Sequence, residues 1–274
     1  MTIPLPKFSL ETTGKSVQEL STVAGLLPPH TPVNIAFLGN ETHQQRIQAA
    51  VTIKALGLAP TPILSSRRIT SKADLDYLVG ELKCRADIQR LMFVGGDPGA
   101  PEGPYENSLA LLESNILQTC DVETIVIAGY PEGHSHITSD QLMAALKWKI
   151  AFLRKNHYKI EITTQLAFCT TRIIKWVQDI RAAGIMEPIR IGVPCPTKVK
   201  TIRYFANLFG VPITADALAH YEMDIADEQL DAKTDSLFVE LAQQIERLGI
   251  KNIYFHLYTL DGVSKNTSWI QNHL

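Results

Sequence analysis

The densest group of side chains capable of chemistry lies in AGYPEGHSHIT at positions 128–138, directly behind the apolar run TIVIAG. Glu132, His134 and His136 are residue types that bind zinc or transfer protons, and an extended loop would let them act together. A metal site usually needs three or four ligands. No second group of histidines or acids stands at another predicted strand end. A metal site therefore remains an alternative for this loop, with no support from the rest of the sequence.

Three other polar residues stand in or just after apolar runs. Glu11 lies in FSLETT, where an acid is disfavoured unless it faces solvent or a polar site, and it suits a general acid. Asp97 follows a Gly-Gly pair that permits close approach to a ligand, although Asp before Pro is also common in turns. Gln165 lies in KIEITTQLAF, where its amide needs either a ligand or neighbouring backbone as a hydrogen-bond partner.

The elements that must position these residues alternate between short β-branched runs and helical patterns. Many of the helical stretches begin on Ser or Thr and end on Gly, which is typical of helix boundaries. Eight strands alternating with helices predict an α/β fold, a (β/α)8 TIM barrel, with residues 1–274 as a single catalytic domain. Active sites of such barrels lie at the carboxyl ends of the strands, where all three candidates are expected. The predicted strands are 8–13, 33–39, 61–66, 90–96, 124–130, 159–168, 188–193 and 252–260.

Composition narrows the class of ligand. With 45% hydrophobic residues and a formal net charge of −2, the chain can bury a large core but has no broad basic field. We therefore expect a small-molecule ligand, and neither nucleic acid nor a membrane as partner. Four widely spaced cysteines and the lack of a leader-like or long apolar segment predict a cytoplasmic protein with reduced thiols.

Six segments together resemble the methylenetetrahydrofolate reductase family, in the family's order and at comparable spacing. They are FSLET, FVGGDP, VIAGYPEGH, ITTQLAF, VPCPTKVKTIRYFANLFGVPI and FHLYTLDG. The resemblance implies a short, catalytic-domain member that holds FAD and no metal. It also implies flavin-dependent reduction of 5,10-methylenetetrahydrofolate to 5-methyltetrahydrofolate, or the reverse oxidation, in one-carbon metabolism that serves methionine biosynthesis.

The same resemblance assigns roles to individual residues. It implies that Glu11 is the catalytic acid, which protonates the folate nitrogen and opens the five-membered ring. It implies that Asp97 and Gln165 bind the folate. The residues implied to contact FAD are Gly96, Asp97, Tyr130, His134 and Lys149. Because Arg67 and Arg68 stand just past the third strand, we expect them to supply replacement charge to the diphosphate.

The sequence also departs from the family pattern. TTGK follows Glu11 where the family has EFFPP, Ile63 replaces a histidine expected near the flavin, and DG replaces NR near the end. These changes leave several alternatives open: NADH or NADPH as electron donor, an electron-donating partner protein, and a homo-oligomer. A folate-binding barrel acting in another tetrahydrofolate-dependent one-carbon step also stays open.

Overall fold

The computed structural model describes residues 8–211, 231–232 and 234–273. Eight parallel strands form a closed barrel in the spatial order β1-β10-β7-β6-β5-β4-β3-β2, which confirms the predicted (β/α)8 fold. A two-stranded antiparallel sheet of β8 (Thr197–Lys198) and β9 (Asp231–Ala232) was not predicted. The barrel strands are β1 Phe8–Thr12, β2 Pro32–Ile35, β3 Ala59–Ser65, β4 Arg90–Val94, β5 Thr124–Gly129, β6 Lys159–Leu166, β7 Ile189–Pro194 and β10 Ile253–Tyr258.

The helices begin and end largely where the capping residues indicated. Thr42 and Gln45 form a reciprocal capping box at the start of α1, and the Ser71 hydroxyl caps α2. Gly210 ends α7 in the left-handed conformation at φ 65°. The α-helices are α1 His43–Ala55, α2 Lys72–Ala86, α3 Ser108–Leu112, α4 Ile116–Thr119, α5 Ser139–Lys155, α6 Thr170–Ala182, α7 Val199–Phe209, α8 Thr234–Arg247 and α9 Thr267–His273.

Some predicted helices differ from the observed ones. The helical stretch predicted at 105–117 is split into α3 and α4, because Asn115 adopts a left-handed φ of 63° between them. The stretch at 16–27 forms two 3₁₀ helices, Val17–Thr22 and Ala24–Leu26. The helix predicted at 215–223 and most of the acidic connection after it lie outside the described residues.

The chain packs as two compact units. The first, called here the N-terminal unit, comprises Ser9–Ala128 and Trp148–Glu161. Arg90 in this unit donates to Glu161 at 2.5 Å and to the Thr61 hydroxyl at 3.1 Å, so a buried ion pair joins residues near the amino ends of β4 and β6. That end of a (β/α)8 barrel serves stability rather than chemistry.

The second unit, called the C-terminal unit, comprises Gly129–Lys147 and the described residues from Ile162 onward, with Phe8. Its core includes an aromatic cluster in which the rings of Phe238 and Phe255 lie 4.6 Å apart. Helix α9 packs on this cluster through Trp269 and His273, whose rings are 4.3 Å apart. Unpredicted α9 thus belongs to the core around α8. The single-domain assignment stays a prediction.

Candidate functional site

Glu11 lies in the penultimate position of β1, between the buried residues Leu10 and Thr12. Its own side chain is half-buried, and its register partner on β2 is the buried Asn34. The Asn34 amide in turn reaches the Met92 sulfur at 3.5 Å. Glu11 is therefore held in a regular strand with polar neighbours, as a general acid would need.

Asp97 and Arg68 form a two-pronged ion pair after β4. The guanidinium donates from Nε to Oδ1 at 2.9 Å and from a terminal nitrogen to Oδ2 at 2.8 Å. These hydrogen bonds hold the pKa of the Asp97 carboxyl below its ordinary value, so the group is ionised at neutral pH. Its side chain is 71% exposed, so its oxygens remain accessible to a ligand.

Arg67 organises the same loop from its other side. Its guanidinium donates to the carbonyls of Glu106 at 2.9 Å and Pro98 at 3.1 Å. Gly96 is required where it stands, because it has a φ of 96° and any side chain would collide with the Ser65 hydroxyl. That hydroxyl is buried and has no hydrogen-bond partner in the described part of the chain.

Lys149 lies in α5 and is only 7% exposed. Burial lowers the pKa of its amine to about 8. The amine makes no hydrogen bond or ion pair with any residue that the structure describes. Since no counter-charge for this ammonium lies among the described residues, a bound anion would stabilise it.

In the C-terminal unit, Tyr130 and His134 meet edge to face with ring centroids 5.5 Å apart. His134 Nδ1 accepts the N–H of His136 at 3.1 Å, and a bridge between His134 and Ile137 closes the turn. Burial raises the pKa of the Tyr130 hydroxyl, so that group stays neutral. The two rings predicted to contact the cofactor therefore form one preorganised pair.

Glu132 has a role that its sequence position did not reveal. Its Oε1 accepts the backbone N–H groups of Phe168 and Cys169, both at 2.6 Å, at the start of α6. Burial raises the pKa of this carboxyl, against the opposing effects of the two amides and of Arg172. The acid therefore binds the loop after β5 to the end of β6, and its only sequence signal was its place between Pro and Gly.

Gln165 lies at a register shift in β6, between Thr163 and Leu166, where pairing with β7 is interrupted. Bulges of this kind re-aim side chains near active sites. The amide oxygen accepts the N–H of Leu166 at 3.0 Å and the hydroxyl of Tyr258 at 3.3 Å. With this amide orientation the nitrogen donates to no described residue, so two donors remain for a ligand.

Asp261 connects two other loops of the C-terminal unit. Its carboxylate accepts the Thr197 hydroxyl in a short hydrogen bond and the Thr201 hydroxyl at 3.3 Å. The DG that departs from the family pattern therefore fixes the start of α7 to the end of β10. Its signal in the sequence was an acid in place of the expected NR.

The predicted residues thus fall into groups within each unit. The N-terminal unit holds Glu11 in β1, the loop of Arg67, Gly96 and Asp97, and the buried Lys149. The C-terminal unit holds the Tyr130–His134 pair and Gln165 with its partner Tyr258. Among the described residues, no three His, Cys, Asp or Glu side chains are grouped to bind a metal ion. None of the described helices has the length and apolar character needed to cross a membrane.

Comparisons with known proteins agree on one family. The profile of methylenetetrahydrofolate reductase matches residues 33–273. The chain is 30% identical over 190 residues to methylenetetrahydrofolate reductase (NADH) 1 of Arabidopsis thaliana, which covers 64% of this chain and 31% of that protein. It is 32% identical over 146 residues to methylenetetrahydrofolate reductase 1 of Schizosaccharomyces pombe, covering 52% and 23%. The chain therefore spans less than a third of the length of these curated relatives.

One solved structure is similar over nearly the whole chain. It is an uncharacterized protein from Clostridium thermocellum that binds two copies of 5-methyl-5,6,7,8-tetrahydrofolic acid. The TM-score is 0.65 at 15% identity, and the match covers 98% of this chain and 93% of that one. At this identity the similarity shows a shared fold.

Proposed function

Because the chain belongs to the methylenetetrahydrofolate reductase family, we propose that it reduces 5,10-methylenetetrahydrofolate to 5-methyltetrahydrofolate, or catalyses the reverse oxidation, with a flavin. The observation that carries this proposal is the Gln165–Tyr258 pair. At the bulge in β6, the Gln165 amide oxygen accepts hydrogen bonds from Leu166 and Tyr258, and the amide nitrogen keeps two N–H donors for a ligand. Such donors suit the acceptor-rich edge of a pterin ring.

Glu11 is the proton donor in this proposal. Its carboxyl gives a proton to the folate nitrogen whose bond to the methylene carbon breaks, and the five-membered ring opens to an iminium. A positioned acid of this kind accelerates such a step about 10²- to 10⁴-fold. Asp97, kept ionised by Arg68, would stabilise the positive charge of that iminium.

Lys149 has the properties expected of a residue that binds the FAD diphosphate. Its buried amine without a described partner matches the need of the diphosphate for a positive charge. Gly96 and Asp97, in the same N-terminal unit, are the further residues proposed to contact the cofactor. For Tyr130 and His134, in the C-terminal unit, contact with the cofactor stays a prediction from the sequence. When bound and reduced, FAD would supply the hydride that converts the methylene group to a methyl group, and it would be oxidised in doing so. NADH or NADPH is the proposed source of electrons, and the cytoplasm the proposed location.

Arg67 is less suited to the role first expected for it. Two of its guanidinium nitrogens already donate to carbonyls of its own loop, and Arg68 is engaged by Asp97. This observation favours a second candidate function, a folate-binding barrel that acts in another tetrahydrofolate-dependent step without a flavin. The two candidates differ in a property that can be seen directly.

Flavin absorbance separates the candidates. Purified protein loaded with FAD is expected to be yellow, to bleach with NADH or NADPH, and to oxidise 5-methyltetrahydrofolate with an artificial electron acceptor. Glu11→Gln should keep the bound flavin but lower folate turnover at least about 100-fold, since only the proton donor is lost. Glu113→Gln, at an exposed acid at the end of α3, is the matched control.

Two results would contradict the proposal. Colourless protein that refuses added FAD but still binds methyltetrahydrofolate would support the second candidate. Normal turnover by Glu11→Gln would show that this glutamate is not the acid.

A further inference from the structure

Glu41, in the loop after β2, grips the loop after β1 with both of its carboxylate oxygens. Oε2 accepts the N–H of Gly14 at 3.1 Å, and Oε1 accepts the N–H of Lys15 at 2.9 Å. Glu41 is 7% exposed, and the next residue, Thr42, begins the capping box of α1. The carboxylate is therefore held at the start of a helix. Its two hydrogen bonds fix both the distance and the orientation of the loop after β1 relative to α1.

The loop that Glu41 holds begins two residues beyond Glu11. Its sequence, Thr-Gly-Lys, includes a glycine and an exposed lysine, so it has little intrinsic rigidity. The loop supplies part of its own order, because the Ser16 hydroxyl accepts the N–H of Thr13 at 3.2 Å. Glu41 adds two bonds from outside the turn: it accepts the Gly14 N–H, and it is the nearer of two acceptors of the Lys15 N–H, which also donates to the Thr13 hydroxyl at 3.2 Å.

Strand pairing also holds the backbone of Glu11 itself, because Leu10, Glu11 and Thr12 are in register with Val33, Asn34 and Ile35 of β2. The N–H of Ala36 donates to the carbonyl of Thr12 at 2.9 Å, so the pairing of β1 with β2 continues one residue past the acid. Glu11 therefore stands between a paired strand and a clamped loop. Loss of the clamp would leave the strand pairing in place but free the loop that begins directly after Thr12.

We propose that Glu41 is a positioning residue, which fixes the loop after β1 and thereby the orientation of the Glu11 carboxyl toward its substrate. The inference rests on the proposed function, in which Glu11 donates the proton. Displacement of a catalytic group by about 1 Å lowers a rate about 100-fold. The cost of losing the clamp should therefore fall on the chemical step and not on substrate binding.

The geometry makes glutamine a poor substitute at this position. Each carboxylate oxygen takes a different N–H group, whereas a glutamine has a single acceptor oxygen and would direct its NH₂ toward the second N–H. Glu41→Gln should thus break one hydrogen bond and create a repulsive contact. Glu113→Gln, at an exposed acid at the end of α3, is the matched control.

The test combines backbone exchange with kinetics on the full chain. Hydrogen exchange of the segment 8–20 should be faster in Glu41→Gln than in wild type. The kcat for methyltetrahydrofolate oxidation should fall about 10- to 100-fold with little change in folate KM. Glu41→Asp, which keeps both carboxylate oxygens on a side chain shorter by one methylene and so draws them away from the two N–H groups, should show changes of the same kind and carries the test if Glu41→Gln does not fold.

The possible results separate the two hypotheses. Faster exchange with unchanged kcat, or unchanged exchange, would overturn the positioning role. Wild-type protein without folate turnover would instead refute the proposed function and with it the catalytic part of this inference. The exchange comparison would then still decide whether Glu41 holds the loop.

Discussion

Replacement of Glu132 by alanine should destabilise the protein by about 3–6 kcal/mol, while replacement by glutamine should cost less, about 1–3 kcal/mol. The reason is that a single oxygen, Oε1, accepts both the Phe168 and Cys169 N–H groups at 2.6 Å. A hydrogen bond to a charged group contributes about 1.5–3 kcal/mol, and alanine removes two. Glutamine keeps one oxygen in the same place and can still accept from both amides.

Urea unfolding and thermal denaturation measure this difference. For a chain of this size, 3–6 kcal/mol corresponds to a fall in Tm of roughly 6–24 °C for Glu132→Ala. The pH dependence provides a second readout, because burial raises the pKa of Glu132 above its ordinary value of 4.5. A raised pKa favours folding below 4.5, and this contribution is lost as the pH rises through the folded-state pKa. Wild type should therefore gain stability relative to Glu132→Gln as the pH falls from 7 toward 4.5.

Equal losses for the alanine and glutamine variants would refute this reasoning, because they would show that charge and not the shared acceptor holds the loop. A stability difference between wild type and Glu132→Gln that does not change with pH would show that the carboxyl is not desolvated. Either result would require a different account of how the loop after β5 is attached to α6.

Two further predictions concern Gly192 and Lys149. Gly192→Ala should destabilise the protein by about 1–3 kcal/mol in urea unfolding, because a Cβ would lie 2.7 Å from the Tyr258 ring and 2.8 Å from the Thr164 carbonyl. Gly80→Ala, in open space on α2, should be neutral or stabilising, and equal effects of the two would contradict the packing argument. Burial lowers the pKa of Lys149 to about 8, so its contribution to stability is lost as the pH falls through 8. The free energy of unfolding should rise between pH 8 and 10 in wild type but not in Lys149→Met. FAD should also bind wild type more weakly at pH 9 than at pH 7. If the free energy of unfolding depended on pH in the same way in both proteins, the argument would be contradicted.

The fold was predictable because each strand has a recognisable pattern in its own residues. Runs such as RLMFV and TIVIAG are β-branched and apolar, and the helices between them carry Ser or Thr caps. The boundaries that were wrong depend on contacts at long range. The second strand was predicted to continue to 39 but ends at Ile35, beyond which the Phe37 ring stacks against the Arg46 guanidinium at 3.7 Å.

The candidate site was predictable only as a set of residue types at strand ends. Sequence placed Gln165 and Tyr130 correctly in relation to β6 and β5. It could not show that Arg68, 29 positions away, engages Asp97, or that Glu132 reaches Phe168, 36 positions away. Such partners follow from which loops the closed barrel makes neighbours, and a single sequence does not contain that information.

Glu41 and Glu132 solve the same physical problem in different units. A (β/α)8 barrel carries its chemistry on loops, and loops lack the backbone pairing that orders the strands. In each case an acid from one loop takes two consecutive N–H groups of the loop beside it, from β2 to β1 and from β5 to β6, and these strands are neighbours in the barrel. Glu41 accepts with two oxygens and Glu132 with one. Replacement by glutamine should therefore disrupt the contact at Glu41 but largely preserve the contact at Glu132. The same substitution at two positions therefore separates a clamp that depends on a full carboxylate from one that depends on a single acceptor.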